Sequence, residues 1–364
     1  MAASSQFGFR SLISSTASCS KLISPRNPRS NTRARPFQTA SHDLAFARPS
    51  TRTYSTAESS PSCSTSGFNT ILPPIRYHIF QNPLPYTIGL RLQNELVAKR
   101  IEWKRKKGGG RGTGILTILK YLEHVPTYTT GRRDNSPNPD TLHPEEKKVQ
   151  HVGAEFHITK RGGQVTYHGP GQLVGYPLFD LNAMEMPTRC YVDYLQSLLA
   201  DYVRSKGIEG VVAPHPEGHV GIFASPTEKV GSIGIHLQHR ITSHGFAMNI
   251  TPEPLAWFDL VLACGLADVK AVSLHDLMVR SAVNDGVLPN PTPGVKDVAS
   301  ELVQRFSEKF SRPLLDLRER SRNKGAKVYR EMIGRAEDEA KQFNVEAGGW
   351  PSEPDLSRQR ELGS

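Results

Sequence analysis

Several stretches of the chain place apolar residues at the three- and four-residue spacing of an amphipathic helix. One begins after Pro85 and runs to residue 106, and another begins at Thr188 and stops near Gly207. Three more helices are predicted at residues 253–262, 295–310 and 323–343. The last of these carries the charge pattern AEDEAKQF, so we expect it to be a solvated helix.

Other apolar segments are short and either alternate or are rich in β-branched residues, which predicts strands. They lie at residues 114–122, 155–160, 173–178, 219–224, 230–237 and 246–250. The last three are close together in the sequence, which favours antiparallel pairing. Residues 131–152 are polar and contain three prolines, so we predict a loop there. Because strands and helices mix without a strict βαβ repeat, the sequence predicts an α/β (mixed α+β) domain with a mixed, largely antiparallel sheet and flanking helices.

Residues 161–180, RGGQVTYHGPGQLVGYPLFD, combine five glycines and two prolines with basic, hydroxyl and imidazole side chains. Gly162 and Gly163 permit close approach of the backbone to a ligand, and Pro170 stiffens the second bend. We predict a strand, a shaped turn and a buried strand. The segment lacks the glycine patterns of phosphate-binding and dinucleotide-binding loops, so nucleotide binding is weakly supported.

Net charge is unevenly distributed along the 364 residues, which total +10. Residues 1–57 hold eight basic residues and one acid, Asp43, for a net +7, which leaves +3 for the rest. A serine- and arginine-rich leader almost free of acids is typical of a mitochondrial transit peptide, and the alternative is a disordered basic tail. No apolar run reaches the roughly 18 residues of a membrane span, so we expect none.

The four cysteines, Cys19, Cys63, Cys190 and Cys264, show no C-x-x-C spacing. We therefore expect free thiols rather than a disulfide framework or a zinc ribbon, with Cys190 packed in a helix. Metal binding is not expected either, because the pair His215 and His219 spans a proline and a glycine and cannot share a helical face.

Four blocks of sequence resemble the lipoate-protein ligase B family, the octanoyl-[acyl carrier protein]:protein N-octanoyltransferases. The glycine-rich segment is one, and the others are LEHVPTYTTGRR (122–133), EKVGSIGI (228–235), and SHGFAMNI (243–250) followed by Cys264-Gly265. They occur in the family's order and cover roughly residues 75 to 285. The family's proline before the cysteine is Ala263 here, and its G-V-W-type segment is Gly221-Ile222-Phe223, which are mild departures.

The resemblance implies the biotin and lipoate ligase catalytic fold in a single catalytic domain. We predict a transit peptide at 1–54, a linker at 55–70, the catalytic domain at 71–315, and a C-terminal helical and disordered extension at 316–364. The basic piece KRKKGGGRG at 104–112 is expected to be a solvated loop, with docking of an acidic carrier protein as the alternative.

The resemblance also implies a mechanism and its residues. Cys264 would be the nucleophile that holds the acyl chain as a thioester, and Lys229 would move the proton. A nearby ammonium stabilises a thiolate, and a partly desolvated lysine can exchange its proton. On the residues alone, Cys264 would be interpreted as a structural cysteine and Lys229 as half of an ion pair. The acyl pocket is implied at Arg161, Gly162, Gly163, Gln164, Val165, Thr166, Tyr167, His168, Ser232, Ile233, Gly234, Gly245, Phe246 and Ala247.

His168 and His244 each precede a glycine, and a structural hydrogen-bonding role is as well supported for them as a direct pocket role. Asn249 is expected to be a structural hydrogen-bonder. The resemblance implies no cofactor and no ATP, because one thioester is exchanged for another before a more stable amide forms.

The implied partners are octanoyl-acyl carrier protein as donor and, as acceptors, the lipoyl domains of 2-oxoacid dehydrogenase E2 subunits and the glycine cleavage H protein. The implied location is the mitochondrial matrix. Two alternatives remain: an ATP-dependent lipoate or biotin ligase with the same fold, and a catalytically silent acyl- or nucleic-acid-binding protein. A remaining charge of +3 and the lack of aromatic residues in the basic piece argue against a nucleic-acid partner.

Processing of the leader can be tested at the N-terminus. The organellar protein should begin near Ser55, because Arg52-Thr53-Tyr54-Ser55 resembles a matrix processing site. N-terminal sequencing of the mature protein measures this directly, and an intact Met1 would contradict it.

Overall fold

The structure is a computed structural model that describes residues 63, 72–106, 115–119, 126–134, 143–149, 152–261, 268–319 and 324–357. All of these residues belong to one unit, which spans residues 60–364. The predicted transit peptide, most of the linker, most of the basic piece and Cys264 lie outside the described residues. The predicted domain limits therefore stay predictions.

The described residues form strands and helices with the following bounds. The strands are β1 Ile75–Ile79, β2 Ile115–Leu119, β3 Thr127–Thr129, β4 Glu155–His157, β5 Thr166–His168, β6 Gln172–Leu178, β7 Gly221–Ser225, β8 Glu228–Gln238, β9 Ile241–Asn249, β10 Lys270–Ala271 and β11 Leu314–Asp316. The helices are α1 Tyr86–Lys106, α2 Pro144–Val149, α3 Thr188–Arg204, α4 Glu253–Phe258, α5 Leu274–Asn284, α6 Val295–Lys309 and α7 Lys324–Ala347.

The main sheet has the strand order β10-β8-β9-β6-β2-β1-β11, with β7 paired to β8. Its centre is antiparallel, from β2 through β6 and β9 to β8, whereas β1 pairs with both of its neighbours in parallel. A second, small sheet has the order β4-β3-β5. This mixed sheet with flanking helices confirms the predicted fold class.

The apolar run in β6 is continuous because both faces of this strand are buried. Leu173 and Phe179 belong to a core cluster with residues of α3, α5 and α6. The intervening Val174, Tyr176 and Leu178 belong to a second cluster with residues of α1 and α7. Successive side chains of a strand point to opposite faces, so the helices form two layers that enclose the sheet.

The structure differs from the sequence prediction at α2, which lies inside the predicted loop 131–152. Pro144 stands at its first position, acids occupy its first turn and lysines its last turn, which are favourable positions for each of these residue types. Strand β1 and helix α5 were also not predicted. The capping box of α5, in which the Ser273 hydroxyl accepts from the Asp276 N–H, is a helix start signal that is visible in the sequence.

The expectation of free thiols is wrong for two of the four cysteines, because Cys63 and Cys190 form a disulfide. Their Cα atoms are 5.7 Å apart, which lies in the usual range for disulfides. The bridge attaches a residue of the predicted linker to α3, where Tyr194 also donates a hydrogen bond to the Cys63 carbonyl. Cysteine spacing could not reveal this pair, since 127 residues separate its members.

Helix α7 is only partly the solvated helix that its charges suggested. Most of its acidic side chains are exposed to solvent. Tyr329, Ile333, Ala336 and Ala340, in contrast, are buried and pack with the apolar face of α1. The apolar side chains of this C-terminal helix therefore contribute to the same core as the sheet.

The contribution of α7 to stability can be measured with a matched pair of variants. Ile333→Ala should lower the free energy of unfolding by about 2 to 4 kcal/mol, because it removes a buried side chain from a packed site. Val345→Ala, on the same helix but exposed, should change it by less than about 0.5 kcal/mol. Denaturant titration compares the two, and equal effects would show that α7 does not share the core.

Candidate active site

A cavity of about 480 Å³ lies against β6, β8 and β9 and under the glycine-rich segment. Most of the side chains predicted for the acyl pocket line it, together with Lys229. These are Arg161, Gly162, Gly163, Gln164, Thr166, His168, Ser232, Ile233, Gly234, Gly245, Phe246 and Ala247. A volume of this size is typical of small-ligand sites. The structure thus brings three of the four sequence blocks to one concave surface, and Arg133 of the remaining block, 122–133, also lines it.

Two predicted pocket residues, Val165 and Tyr167, are not among the cavity lining. They are fully buried in a separate cluster with Tyr128 and Trp257, and the Tyr167 ring stacks on Trp257 at 5.3 Å. Since side chains alternate along β5, Thr166 and His168 face the cavity while these two face away. The binding role expected for Val165 and Tyr167 is therefore a packing role in this structure.

Lys229 lies on β8 and is 9% exposed. Its Nζ is 5.2 Å from the centre of the fully buried Phe223 ring on the adjacent strand β7. Gly221 makes room for it, because a Cβ there would lie 2.5 Å from Lys229 Cε. The lysine also lines a smaller cavity of about 20 Å³, whose lining includes Val269 and Ala271. The Lys229 side chain thus lies at the boundary of the two cavities.

Arg161 is a buried cation at the start of the glycine-rich loop. Its Nε donates to Thr129 Oγ1 at 3.2 Å, its Nη2 donates to the Thr129 carbonyl, and its Nη1 donates to the Gly162 carbonyl at 3.0 Å. The adjacent Gly163 has φ +87°, a conformation that favours glycine. The loop is therefore held in one shape by the small sheet beneath it.

His168 is held as a neutral ring. Its Nδ1 donates to Gln172 Oε1 at 2.8 Å, because the Gln172 amide is oriented by donating to Asn249 Oδ1 and the Tyr167 carbonyl. The pKa of His168 is lowered to about 4, mainly by burial and to a smaller extent by the charge of Arg161, while the hydrogen bond to Gln172 opposes this shift. Nε2 consequently has no proton and can accept a hydrogen bond. Asn249 also donates to the Val272 carbonyl, which confirms its predicted structural role.

His244 is a non-glycine residue with a positive φ of 54° in the middle of β9. Its backbone N–H donates to Gln93 Oε1 of α1 at 2.6 Å. Burial lowers the pKa of its ring to about 3, with Arg161 as the next cause. His168 and His244 are therefore uncharged at neutral pH, and Arg161 and Lys229 are buried cations at the cavity wall.

Gln93, Arg133 and Thr129 support or line this site, although the sequence prediction assigned them no role in it. Gln93 had a detectable signal: it lies four residues before Val97 and seven after Tyr86, on the face predicted to be apolar. A polar side chain at such a position needs a buried partner. Arg133 lines the cavity from a turn, and its signal was its place, together with Thr129, in the sequence block 122–133.

His215, Glu217 and His219 lie close together, although they do not share a helix. Potential ligand atoms of the three lie within 4.8 Å of one another. A turn therefore brings together side chains that could not share the face of a helix. However, His215 Nδ1 accepts from the Glu217 N–H, and its Nε2 lies 3.0 Å from the Pro226 carbonyl. His219 pairs with the Glu217 carboxylate at 3.1 Å. The cluster is thus a hydrogen-bonded turn at the edge of the cavity.

The chain belongs to the lipoyl protein ligase A/B catalytic domain family, whose model matches residues 85–307. This span contains all of the cavity residues described above. The membership confirms the family-level resemblance recognised from the four sequence blocks.

Individual relatives bear names that are more specific than the family. An octanoyltransferase from Koribacter versatilis is 35% identical over 206 residues, which cover 56% of this chain and 76% of that protein. A mitochondrial octanoyltransferase from Arabidopsis thaliana is 32% identical over 222 residues, 61% of this chain and 85% of that protein. Among solved structures, a bipartite lipoate protein ligase from Thermoplasma acidophilum is 14% identical with a TM-score of 0.42, covering 72% of this chain and 92% of that chain.

Among the helices that the structure describes, none is both long enough and apolar enough to cross a membrane.

The buried neutral histidines predict acid sensitivity of the fold. Below about pH 6.5 the unfolded chain takes up a proton at His244, whereas the folded protein does not until the pKa of about 3, so stability falls as the pH falls through this window. Between neutral pH and about pH 5, His244 should lower the free energy of unfolding of the wild type by about 2 kcal/mol. His244→Asn should not show this part of the loss. Asparagine tolerates the positive φ.

Denaturant titrations at the two pH values measure this difference. The control is His239→Asn, since His239 is exposed and also has a positive φ, of 50°. It should keep the pH dependence of the wild type. If His244→Asn lost as much stability on acidification as the wild type does, a buried neutral His244 would be ruled out.

Proposed function

We propose that this protein is an octanoyltransferase that moves an octanoyl group from acyl carrier protein to a lysine of lipoyl domains, the first step of endogenous lipoate synthesis. The relatives named octanoyltransferase support the reaction class, that of the lipoyl(octanoyl) transferases. The observation that carries the mechanism is the burial of Lys229 at the boundary of a cavity with an apolar wall.

The proposed first step is transfer of the acyl group to Cys264. The Cys264 sulfur attacks the thioester carbonyl of the donor, the bond from that carbonyl to the carrier sulfur breaks, and Lys229 passes the proton from the cysteine to the leaving carrier thiolate. Val269 and Lys229 line the same small cavity, and residue 269 follows Cys264 by only five positions, which supports this pairing. One thioester replaces another, so no ATP is consumed.

In the proposed second step the acceptor lysine, as a neutral amine, attacks the Cys264 thioester. Lys229 takes the proton that the amine loses and returns it to the cysteine sulfur as the carbon–sulfur bond breaks. The product is an amide, which is more stable than the thioester, so the transfer proceeds without another energy source. The sequence of two half-reactions predicts ping-pong kinetics.

The cavity wall suits an acyl chain followed by a polar carbonyl group. Val174, Ile233 and Phe246 supply apolar surface. Two histidines of the wall, His168 and His244, are neutral. Thr166 Oγ1 is buried without a hydrogen-bond partner among the described residues and is available to a polar group of the substrate. Backbone N–H groups of the glycine-rich loop are the proposed donors to the oxyanion.

The proposed location is the mitochondrial matrix, reached by means of the leader 1–54. Its composition and the mitochondrial relative from Arabidopsis thaliana support this location. The proposed acceptors are the lipoyl domains of 2-oxoacid dehydrogenase E2 subunits and the glycine cleavage H protein. An ATP-dependent ligase activity is not favoured, because the named relatives are octanoyltransferases.

The mechanism is tested by intact mass of the protein from Ser55 onward after exposure to octanoyl-carrier protein without ATP. In a Cys63→Ala/Cys190→Ala background, Cys264 is the only remaining thiol of the protein from Ser55 onward, which lacks Cys19. A hydroxylamine-labile octanoyl adduct should form there and be absent when Cys264→Ala is added. Lys229→Gln should slow adduct formation by about 100-fold or more, since it removes a general acid–base group.

The same protein is then given a lipoyl domain and ATP. Octanoylation that needs ATP and survives Cys264→Ala would replace the proposed function with that of a ligase. If the protein formed no adduct and transferred no octanoyl group, the acyl-binding protein without catalytic activity would be the remaining alternative.

A further inference from the structure

A group of basic side chains lies at the mouth of the cavity, outside the residues that the mechanism uses. We define the cationic rim as Arg132, Arg133 and Lys160, and the His236 ring lies beside it. Three backbone segments bring them together: the turn after β3, the start of the glycine-rich loop, and β8. The Arg132 N–H donates to the Arg161 carbonyl at 2.8 Å, and the Gly162 N–H donates to the Ile235 carbonyl at 2.9 Å. The rim is thus part of the ordered frame of the cavity.

The charges of the rim are close to one another and exposed. Arg132, Arg133 and Lys160 have exposed side chains, and Arg133 also lines the cavity. The pKa of His236 is lowered first by burial and then by the charges of Arg132 and Lys160, as expected for neighbouring cations. Concentrated like charge raises the local potential and attracts an anionic partner.

The described residues offer little to neutralise this charge. No ion pair among them includes Arg132, Arg133 or Lys160, whereas cations elsewhere, such as Lys104 with Asp180, are paired. The nearest carboxylate in the sequence, Asp134, accepts a hydrogen bond from the Val165 N–H at 2.9 Å. The cationic rim is therefore suited to a partner that brings its own negative charge.

We propose that the cationic rim docks the acidic carrier protein that delivers the octanoyl thioester, with Arg133 receiving the phosphodiester of the carrier's prosthetic arm. This proposal rests on the proposed function and adds the donor's docking surface to it. A phosphodiester is an anion that must pass close to the cavity mouth when the thioester enters, and arginine binds phosphate oxygens in bidentate geometry.

Electrostatics distinguish the donor from the acceptor at this surface. The acceptor approaches as a lysine, which is a cation before it loses its proton, and the rim would repel it. Another part of the cavity lining, Gly218 to Val220, follows the exposed carboxylate of Glu217 in the chain. In this proposal the rim serves the donor, and the acceptor lysine approaches past Glu217 rather than past the rim.

The test compares two variants with the same change in net charge. Arg132→Glu/Lys160→Glu reverses two rim charges without altering a cavity-lining residue. The control, Lys296→Glu/Lys341→Glu, reverses two exposed lysines on α6 and α7 that do not line the cavity. Each is assayed with octanoyl-carrier protein and with octanoyl-N-acetylcysteamine, a neutral thioester that has neither the carrier surface nor the phosphodiester.

For the rim variant, kcat/KM with octanoyl-carrier protein should fall by about ten-fold or more at low ionic strength, and the difference should shrink as salt is added. With octanoyl-N-acetylcysteamine it should stay within about two-fold of wild type, and the KM for the lipoyl domain should not rise. The control variant should behave as wild type. Carrier affinity, measured by fluorescence anisotropy on the Cys264→Ala protein, should fall in parallel.

Three results would overturn the docking proposal. Equal losses with both thioesters would indicate damage to the cavity, a selective rise in the lipoyl-domain KM would assign the rim to the acceptor, and unchanged carrier kinetics and affinity would remove any docking role. Failure of the proposed function is separate, because wild-type protein would then form no octanoyl adduct with either thioester, while the anisotropy measurement would still report whether the rim binds the carrier.

Discussion

The close approach of β6 and β9 is the constraint on which the cavity depends. A Cβ at Gly245 would lie 2.2 Å from the Gly175 carbonyl oxygen, and a Cβ at Gly175 would lie 2.3 Å from the Phe246 ring. Neither contact is possible for a larger residue, so the two strands can pair at this distance only through glycine. The Phe246 ring then covers Gly175 and contributes to the apolar wall. Helical layers cover both faces of these strands, so the wall cannot relax by moving outward.

The distribution of charge separates the interior of the site from its entrance. Inside, burial keeps His168 and His244 neutral, and Arg161 is held by several hydrogen bonds to Thr129 and Gly162. Under the proposed function, an acyl chain would meet a wall with few charges, and Lys229 would be the group that moves a proton. The exposed cations lie at the mouth, where in our proposal they act on the approaching donor rather than on the reacting atoms.

The sequence predicted much of the architecture because buried faces of long helices and strands require apolar residues at regular spacing. The long helices α1, α3 and α6 and strands β6, β8 and β9 follow apolar patterns long enough to be distinguished by period. Short elements such as α2 and β1 carry too few residues for a period to emerge, and their formation depends on the surfaces they meet. Within β5, the motif identified the correct segment but not its orientation, so Val165 and Tyr167 were assigned to the pocket together with Thr166 and His168.

By itself the sequence determined the class of fold, the family and the segments that line the cavity, since periodicity and motif order are properties of neighbouring residues. Only the tertiary structure decided which side chains meet across the chain. The His244 N–H is paired with Gln93, 151 residues away, and Cys63 is bonded to Cys190, 127 residues away. Such contacts depend on how the layers stack and on which face of a strand is turned toward which layer. In strands that are buried on both faces, the local pattern of apolar residues does not distinguish the two faces.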